Sequence, residues 1–459
     1  MKNQKDSRID LTTVLNKPDH RERTLGLFDL VIMGVGSIIG TGILVLTGIV
    51  SATEAGPGII ISFVISALAA ALIGLCYSEL TTSIPSSGSA YMYTWIAIGQ
   101  KAAFFAGWSL IGAYMSEAAT VANGWTGYFN SFMDQIGIHI PAMFVKTPFE
   151  GGMVNLPAIV MTLLMTLVLT RGTSKSKWIN NMLVIIKVLI IVLFVVVSAQ
   201  NINPQNWHNF LPYGWQGVFL GSSTIFFSFL GFDVLATSSE EVKDVKHTLP
   251  KAIGISILVS TTLYIIVSLV MTGAVLYKKL NVPEAMSFVL LQNNHKIVAQ
   301  IVSAGAILGI MAVVYAYVYG TSNIIMSMGE GGFLPKSLSK LNKKSKSPNR
   351  SIILIGLIIS VLAGFLDVKV LAVVTNIGCL LVFLLISLVV ILLRKQHPDL
   401  ERPFKLPFGY TIPVLSLLVC IFLLINTAAS AWVVYLGWMV IGLTVYLMYS
   451  RTHINNKIR

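Results

Sequence analysis

Two charged side chains stand inside long apolar runs of this 459-residue sequence. Lys187 lies within NNMLVIIKVLIIVLFVVV, and Glu117 lies within WSLIGAYMSEAATVANGW. In a helix that begins near Trp178, Lys187 is roughly 13 Å along the axis, close to the centre of a bilayer. An unpaired cation there costs at least about 2.5–3.5 kcal/mol, so such residues usually mark ion or proton pathways. The alternative for Lys187 is a structural cation held by backbone carbonyls.

The remaining acidic residues in or near these runs have several possible roles. Glu117 has three: it binds a cationic group in a cavity, carries a proton, or pairs with another residue. Asp233 follows Gly231 and is expected to cap or orient a helix. Glu54, Glu79 and Glu330 fall near the ends of apolar runs, where solvated or capping roles suffice.

Residues 34–43 read GVGSIIGTGI and place four glycines inside one apolar run. One interpretation is close helix packing, because Gly36 and Gly40 form a small-xxx-small motif. The other is a helix break near Ile38–Gly42, which frees N–H groups on one side and C=O groups on the other. A carboxylate would bind the N–H groups at the positive end of the second half-helix, and an ammonium would bind the carbonyls. The break therefore predicts a site for a zwitterion with both groups on one carbon.

A second glycine interrupts another apolar run in FFSFLGFDV, residues 226–234. Interrupted segments at corresponding positions of two halves are the best sequence indication of a transport site. Several phenylalanines surround Gly231, and Phe227 is the candidate for a gate over that site.

The elements that carry these residues are membrane helices. The chain is 55% hydrophobic and only 11% charged, whereas soluble proteins carry about 25% charged residues. We predict an all-α polytopic membrane protein with twelve spans of roughly 20 residues, the length that crosses about 30 Å of hydrocarbon. The predicted spans are 26–50, 58–80, 101–129, 153–171, 178–200, 214–238, 251–277, 296–328, 351–366, 370–393, 409–427 and 431–450.

The charge distribution predicts the orientation of these spans. With the N-terminus inside, five of the 32 lysines and arginines fall in outer loops, and nearly all the others lie inside. The positive-inside rule then places both termini in the cytoplasm, and the basic segment 336–350 is the strongest single indication. The net charge of +13 is thus an orientation signal, and no nucleic-acid partner is expected. The polar N-terminus lacks an apolar segment, so it is not expected to be a cleaved signal peptide. The predicted location is the plasma (inner) membrane, as a multi-pass protein.

The order of the spans predicts two blocks of five that enter the membrane from opposite sides, as in an inverted-topology repeat. The predicted division is a cytoplasmic tail at 1–25, repeats at 26–200 and 201–393, two additional helices at 394–450 and a cytoplasmic tail at 451–459.

The sequence offers little for catalysis or metal binding. Cys76, Cys379 and Cys420 lie inside apolar runs without metal-ligand spacing. We find no HExxH, no clustered histidines and no nucleophile motif. No enzyme activity, no metal and no cofactor are expected.

Five segments in order resemble the amino acid–polyamine–organocation (APC) transporters, and most closely the bacterial relatives of cationic amino acid transporters. They are GSIIGTGILV (36–45), ELTTSIPSSGSAYMYTW (79–95), INNMLVIIKVLIIVLF (179–194), FFSFLGFDVLATSSEEVKDVKHTLPKAI (226–253) and EGGFLP (330–335). The resemblance implies a LeuT-like fold with a five-plus-five inverted repeat, discontinuous helices 1 and 6, and two extra helices. It also implies secondary transport of L-amino acids by alternating access.

Matched motif by motif, the resemblance also implies roles for individual residues. The N–H groups of Thr41 and Gly42 bind the substrate carboxylate, and the carbonyls of Ile38 and Leu230 bind its amine. Phe227 matches an aromatic gate. Lys187 matches a lysine that replaces a sodium ion in proton-dependent members, which favours proton symport. The predicted substrate-binding set is completed by Gly40, Ile43 and Ser228.

Two departures from the family pattern limit the substrate prediction. The family glutamate of LILEY falls on Ala113 in LIGAY (110–114), and Glu117 lies one turn later. Relatives commonly read SRDG where this chain reads GEGG (329–332). A cationic preference is therefore not inherited, and an amino acid or polyamine exchanger and a non-transporting sensor stay as alternatives. A small membrane partner subunit is left open.

Overall fold

A computed structural model describes residues 9, 11 and 25–454, except 85–88, 172–175, 238, 240–241, 343–344 and 346. Most of the predicted N-terminal tail and the last five residues lie outside the described part, as do pieces of the segments 79–95, 226–253 and 336–350. The described chain is helical: it contains no strand, and Leu25 and Val242 form an isolated parallel bridge.

The first half of the chain begins with an interrupted helix. α1 is Leu27–Ile38, and α2, Thr47–Val50, lies between π-helical turns at Gly42–Leu46 and Ser51–Ala55. The next helices are α3 (Ile59–Ser83), α4 (Ser89–Ala97), α5 (Gln100–Gln135), α6 (Leu156–Thr170) and α7 (Ser176–Ser198).

The second half also begins with an interrupted helix. α8 is Gly214–Ile225, a 3-10 turn covers Phe226–Phe229, and α9 is Phe232–Thr237. There follow α10 (Val245–Ala274), α11 (Ala285–Gln292), α12 (Lys296–Glu330), α13 (Asn349–Phe365), α14 (Val368–Gln396), α15 (Thr411–Ile425), α16 (Ala429–Val445) and α17 (Arg451–His453).

Helical structure coincides with every predicted span. Within the described chain, six helical stretches are long and apolar enough to cross a membrane: Gly42–Ser83, Asn181–Asn201, Val245–Ala274, Lys296–Glu330, Val368–Gln396 and Ala429–His453. The apolar helices α1, α6, α13 and α15 are shorter, with 10–17 residues. The all-helical architecture is confirmed, and the number of twelve membrane crossings stays a prediction.

Long helices enclose the two interrupted segments. α5 packs along α12 and α14, and α10 packs against both α1 and α3. The 3-10 turn before α9 contacts the π-helical turn after α1. The centre of the molecule is therefore built from backbone that leaves the regular helix, surrounded by helices that do not.

Two acidic residues differ from the expectation of solvated or capping roles. Glu54 is 2% exposed and forms an ion pair with Lys369 at 2.6 Å. Glu79 is equally buried and pairs with Arg394, whose Nε donates to Oε1 at 2.8 Å. Both expectations were wrong because helices distant in the sequence cover these ends of the apolar runs and supply the cations.

Candidate functional site

The first feature of the central region is the interruption after α1. The helix ends at Ile38, Ile39 takes an extended conformation with φ −76° and ψ 96°, and helical structure resumes in the π-helical turn from Gly42. The predicted break near Ile38–Gly42 is present.

The break leaves backbone N–H groups without hydrogen-bond acceptors among the described residues at the start of the second helical segment. Thr41, Gly42 and Ile43 open that segment, so their N–H groups have no acceptor within it. No backbone hydrogen bond from these three residues to another part of the described chain is found either. Thr41 is fully buried, and its hydroxyl has no partner within the described residues. Such an end carries positive dipole charge and suits a carboxylate, so the predicted role of Thr41 and Gly42 is chemically feasible and stays a prediction.

The second interruption lies between α8 and α9. Leu230 is extended, with ψ 147°, and Gly231 has φ 111°. A Cβ atom on Gly231 would lie 2.7 Å from the carbonyl oxygen of Ser37 in α1. Only glycine fits both the left-handed conformation and this close approach.

The two interruptions are in direct contact. A Cβ atom on Gly42 would lie 2.5 Å from Cα of Ser228, so the backbones meet there. Tyr264 of α10 places its hydroxyl 2.8 Å from the Ile38 carbonyl oxygen and 2.6 Å from that of Ser228. One hydroxyl has a single proton and donates to one carbonyl at a time, which leaves acceptor capacity on both. The predicted binding of an amine by the Ile38 carbonyl is thus compatible with the contact to Tyr264.

Lys187 also reaches the first interruption. Its ammonium donates to the carbonyl oxygens of Gly36 at 2.8 Å and Ile39 at 3.1 Å, and the side chain is buried. Gly309 of α12 makes room for it, because a Cβ atom there would lie 2.3 Å from Cγ of Lys187. The cation therefore stabilises the carbonyl end of α1, as in the structural alternative, and proton coupling through it stays a prediction.

The opening glycines serve packing as well as the break. A Cβ atom on Gly34 would lie 2.3 Å from the hydroxyl oxygen of Ser256, and one on Gly36 would lie 2.3 Å from a methyl carbon of Val184. Gly40, at the break itself, has more room, with Val313 at 3.8 Å from its Cβ position. The packing interpretation holds for the glycines inside α1, and the break involves the later ones.

The other predicted binding residues lie around the second interruption. Phe227 is 3% exposed and precedes Ser228 in the 3-10 turn. The Ser228 hydroxyl is buried without a partner within the described chain. Ile43 is fully buried after the first break. The structure brings these residues into one region, and neither the gating role of Phe227 nor any binding role is tested by it.

Glu117 lies in a separate polar cluster next to this region. It is 3% exposed, and its carboxyl group lies close enough to the Tyr317 hydroxyl of α12 to interact with it. Asp233 of α9 faces the same cluster, where it accepts hydrogen bonds from the Tyr114 hydroxyl and from the Gly231 N–H at 3.2 Å. The structure thus brings Glu117 near Asp233 and the second interruption, whereas Lys187 donates to carbonyls of the first.

Sequence reasoning missed three residues of this region. Tyr264, Tyr317 and Gly309 each lie inside a long apolar helix, and each contacts a predicted site residue. A single tyrosine or glycine in such a helix carries no periodic signal. Their roles depend on helices that meet only in the folded chain.

Sequence comparison finds related proteins along almost the whole chain. A family model described as amino acid permease matches residues 25–448. The methylthioribose transporter of Bacillus subtilis (strain 168) is 40% identical over 447 residues, which cover 97% of each chain. A branched-chain amino acid permease of the same organism is 41% identical over 454 residues, covering 98% of this chain and 97% of the relative. Human cationic amino acid transporter 4 is 31% identical over 82% of this chain and 60% of its own length.

Proposed function

Because this chain belongs to the amino acid permease family of the APC superfamily, we propose that it carries L-amino acids across the plasma membrane by proton-coupled symport. Membership makes the protein a multi-pass membrane transporter and not an enzyme. The proposal adds the coupling ion, the alternating-access mechanism and the cell membrane. It also adds twelve crossings, a LeuT-like five-plus-five repeat with the predicted boundaries, and cytoplasmic termini.

The observation that carries the proposal is the contact between two interrupted helices. The N–H groups of Thr41 and Gly42 suit a carboxylate, and the carbonyls of Ile38 and Leu230 lie at the ends of the preceding segments. Donors and acceptors so close together match the carboxylate and ammonium on the α-carbon of one amino acid. Each freed backbone group inside a membrane costs several kcal/mol unless a partner satisfies it, and the substrate is the proposed partner.

Proton coupling is proposed from Lys187. A sodium-dependent mechanism would place a cation against the carbonyl end of α1, and the Lys187 ammonium occupies that position with two hydrogen bonds. A lysine at this position can bind and release a proton, whereas a sodium ion would itself bind and leave. The ion that drives uptake is therefore proposed to be H⁺, with no metal and no other cofactor.

Uptake into proteoliposomes tests the function. We expect accumulation of at least one of labelled valine, leucine and threonine when the inside is more alkaline, and no requirement for sodium. Leucine methyl ester and isoamylamine, which lack a free carboxylate, should fail to compete. Competition by either compound would reject the carboxylate site, and uptake indifferent to the pH gradient would reject the coupling. Negligible uptake into empty vesicles with active counterflow would establish the exchanger, and binding without uptake would establish the sensor.

A second candidate substrate is a thiosugar such as methylthioribose. The similarity to a methylthioribose transporter favours it, as do the buried hydroxyls of Thr41 and Ser228, which have no partner within the described residues. A sugar has neither an amine nor a carboxylate, so it would use these hydroxyls. Competition of methylthioribose against labelled amino acids in the same vesicles separates the two candidates, since only the true substrate competes strongly.

A further inference from the structure

The polar cluster around Glu117 lies deep inside the molecule, at the middle of a long helix, where a carboxyl group is not needed for packing. Glu117 is the eighteenth residue of the 36-residue helix α5, so it lies about 26 Å from either end at about 1.5 Å per residue. A side chain at that depth cannot reach water at a membrane surface. The carboxyl group must find its partners inside the protein.

The partners within the described chain do not satisfy it. Oε2 of Glu117 and the Tyr317 hydroxyl are both buried without a hydrogen bond of normal geometry, although the two side chains lie close enough to interact. No salt bridge joins Glu117 to a basic side chain in the described residues. Asp233, the other carboxylate of the cluster, differs because Tyr114 and the Gly231 N–H donate to it. A buried oxygen without a hydrogen bond lowers the stability of the protein. A bound ligand that donates a hydrogen bond would remove this cost.

Three elements of this cluster lie within two helical turns of the proposed amino acid site. Val313, one turn before Tyr317 on α12, contacts Gly40 at the first break. Gly124, two turns after Glu117 on α5, contacts the Thr41 side chain at 2.8 Å from its Cβ position. Asp233 lies two residues after Gly231 at the second break. Glu117 and Tyr317 therefore lie within one or two helical turns of residues that contact the breaks.

We propose that Glu117 and Tyr317 form a subsite that binds a hydrogen-bond donor on the side chain of the substrate. The inference deepens the proposed function and rests on it. A carboxyl oxygen accepts a hydrogen bond from a hydroxyl or an ammonium, and the Tyr317 hydroxyl both donates and accepts. A site built for such a group rejects an analogue without it, because the buried oxygen is then left unpaired. Purely aliphatic substrates are the disfavoured class.

Threonine and valine test this subsite, since they have the same shape and differ in one hydroxyl. We expect the purified protein to bind threonine at least about tenfold more tightly than valine, because valine leaves the buried oxygen of Glu117 without a hydrogen bond. Glu117→Leu should abolish that ratio. Tyr317→Phe should reduce it, and Glu117→Gln, which still accepts a hydrogen bond, should retain most of it. Asp399→Asn, on an exposed loop, is the matched control and should leave the ratio unchanged.

Lysine and norleucine form a second pair that distinguishes an ammonium from a hydroxyl as the bound donor. A preference for lysine over norleucine that is lost in Glu117→Leu assigns the subsite to an ammonium, and a preference confined to threonine assigns it to a hydroxyl. Thermal unfolding without ligand identifies variants that fail to fold, and Tyr317→Phe keeps the test available if Glu117→Leu does not fold.

The outcomes separate this inference from the proposed function. Binding and uptake of both amino acids with a threonine to valine ratio near one, unchanged in Glu117→Leu, would overturn the subsite and leave the transporter intact. A ratio unchanged in every variant while Glu117→Gln loses its response to the proton gradient would also overturn it, in favour of a proton carrier. Absence of amino acid binding to the folded wild type would overturn the proposed function itself.

Discussion

At the scale of single residues, the ammonium of Lys187 replaces hydrogen bonds that the interruption of α1 removes. The carbonyls of Gly36 and Ile39 accept from it, and without it they would face the interior of a membrane protein unpaired. The same two bonds hold the lysine in place, so its charge and the shape of the break depend on each other. A change in the protonation of Lys187 would alter the carbonyl end of α1 directly.

Lys187→Met is the first prediction, because methionine has a similar length and no charge. We expect the stimulation of uptake by an inward proton gradient to be lost and the stability to fall by roughly 1–3 kcal/mol, since two buried carbonyls lose their donor. Uptake with and without the gradient, and thermal unfolding in detergent, measure the two effects. Lys296→Met, at an exposed position, is the control. An unchanged response to the gradient in the folded variant would remove Lys187 from the coupling mechanism.

At the scale of elements, each interrupted helix has a glycine at the point where the other interrupted helix comes too close for a side chain. Gly231 has a left-handed backbone and lies against the Ser37 carbonyl of α1. Gly42 lies against Ser228. The breaks are therefore paired features, and a side chain at either glycine would separate the two segments that form the proposed carboxylate and amine site.

Gly231→Ala is the corresponding prediction. The left-handed conformation costs about 1–2 kcal/mol for a residue with a Cβ atom, and the contact with Ser37 adds to that cost, so binding is expected to be lost. Gly254→Ala is the matched control, because Gly254 lies in α10 with nothing within 4 Å of its Cβ position, and alanine there should stabilise the protein by up to about 1 kcal/mol. Thermal unfolding with and without an amino acid measures both the stability of each variant and its binding. Normal binding by Gly231→Ala would contradict the assignment of the break to the site.

At the scale of the whole molecule, α14 is tied to the first half of the chain near both of its ends. Lys369 at one end pairs with Glu54, and Arg394 at the other pairs with Glu79. The two pairs differ in their surroundings. Glu79 also accepts from the Leu406 N–H at 2.9 Å, whereas Lys369 is 40% exposed. The pair at Glu79 is therefore the more strongly enclosed of the two.

A double-mutant cycle at the Glu54–Lys369 pair makes the third prediction. Lys369→Met leaves a buried carboxylate without its cation and should lower the thermal stability in detergent. Adding Glu54→Gln removes that charge, so the double variant should recover part of the loss. Arg394→Met should cost more than Lys369→Met, up to about 3–5 kcal/mol, because Glu79 is enclosed by protein. A double variant less stable than Lys369→Met alone would show that Glu54 does not depend on the lysine charge.

Much of the molecule follows from the sequence because local properties determine it. Low charge and long apolar runs predicted an all-helical membrane protein, and the helices lie where the runs lie. The breaks at Ile39 and Gly231 were also predictable, since glycine weakens a helix wherever it occurs. The ordered motifs indicated the family, which the comparisons confirmed.

Only the tertiary structure decided which side chains serve these local features. Glu79 meets Arg394 across 315 positions of sequence, and Lys187 meets Gly36 across 151. Tyr264, Gly309 and Tyr317 reach the centre because α10 and α12 pack there. The sequence by itself determined the class of the protein, its helices and where two of them break, because backbone conformation and hydropathy are local. The partners of buried charges depend on how distant helices pack, and no local pattern records that.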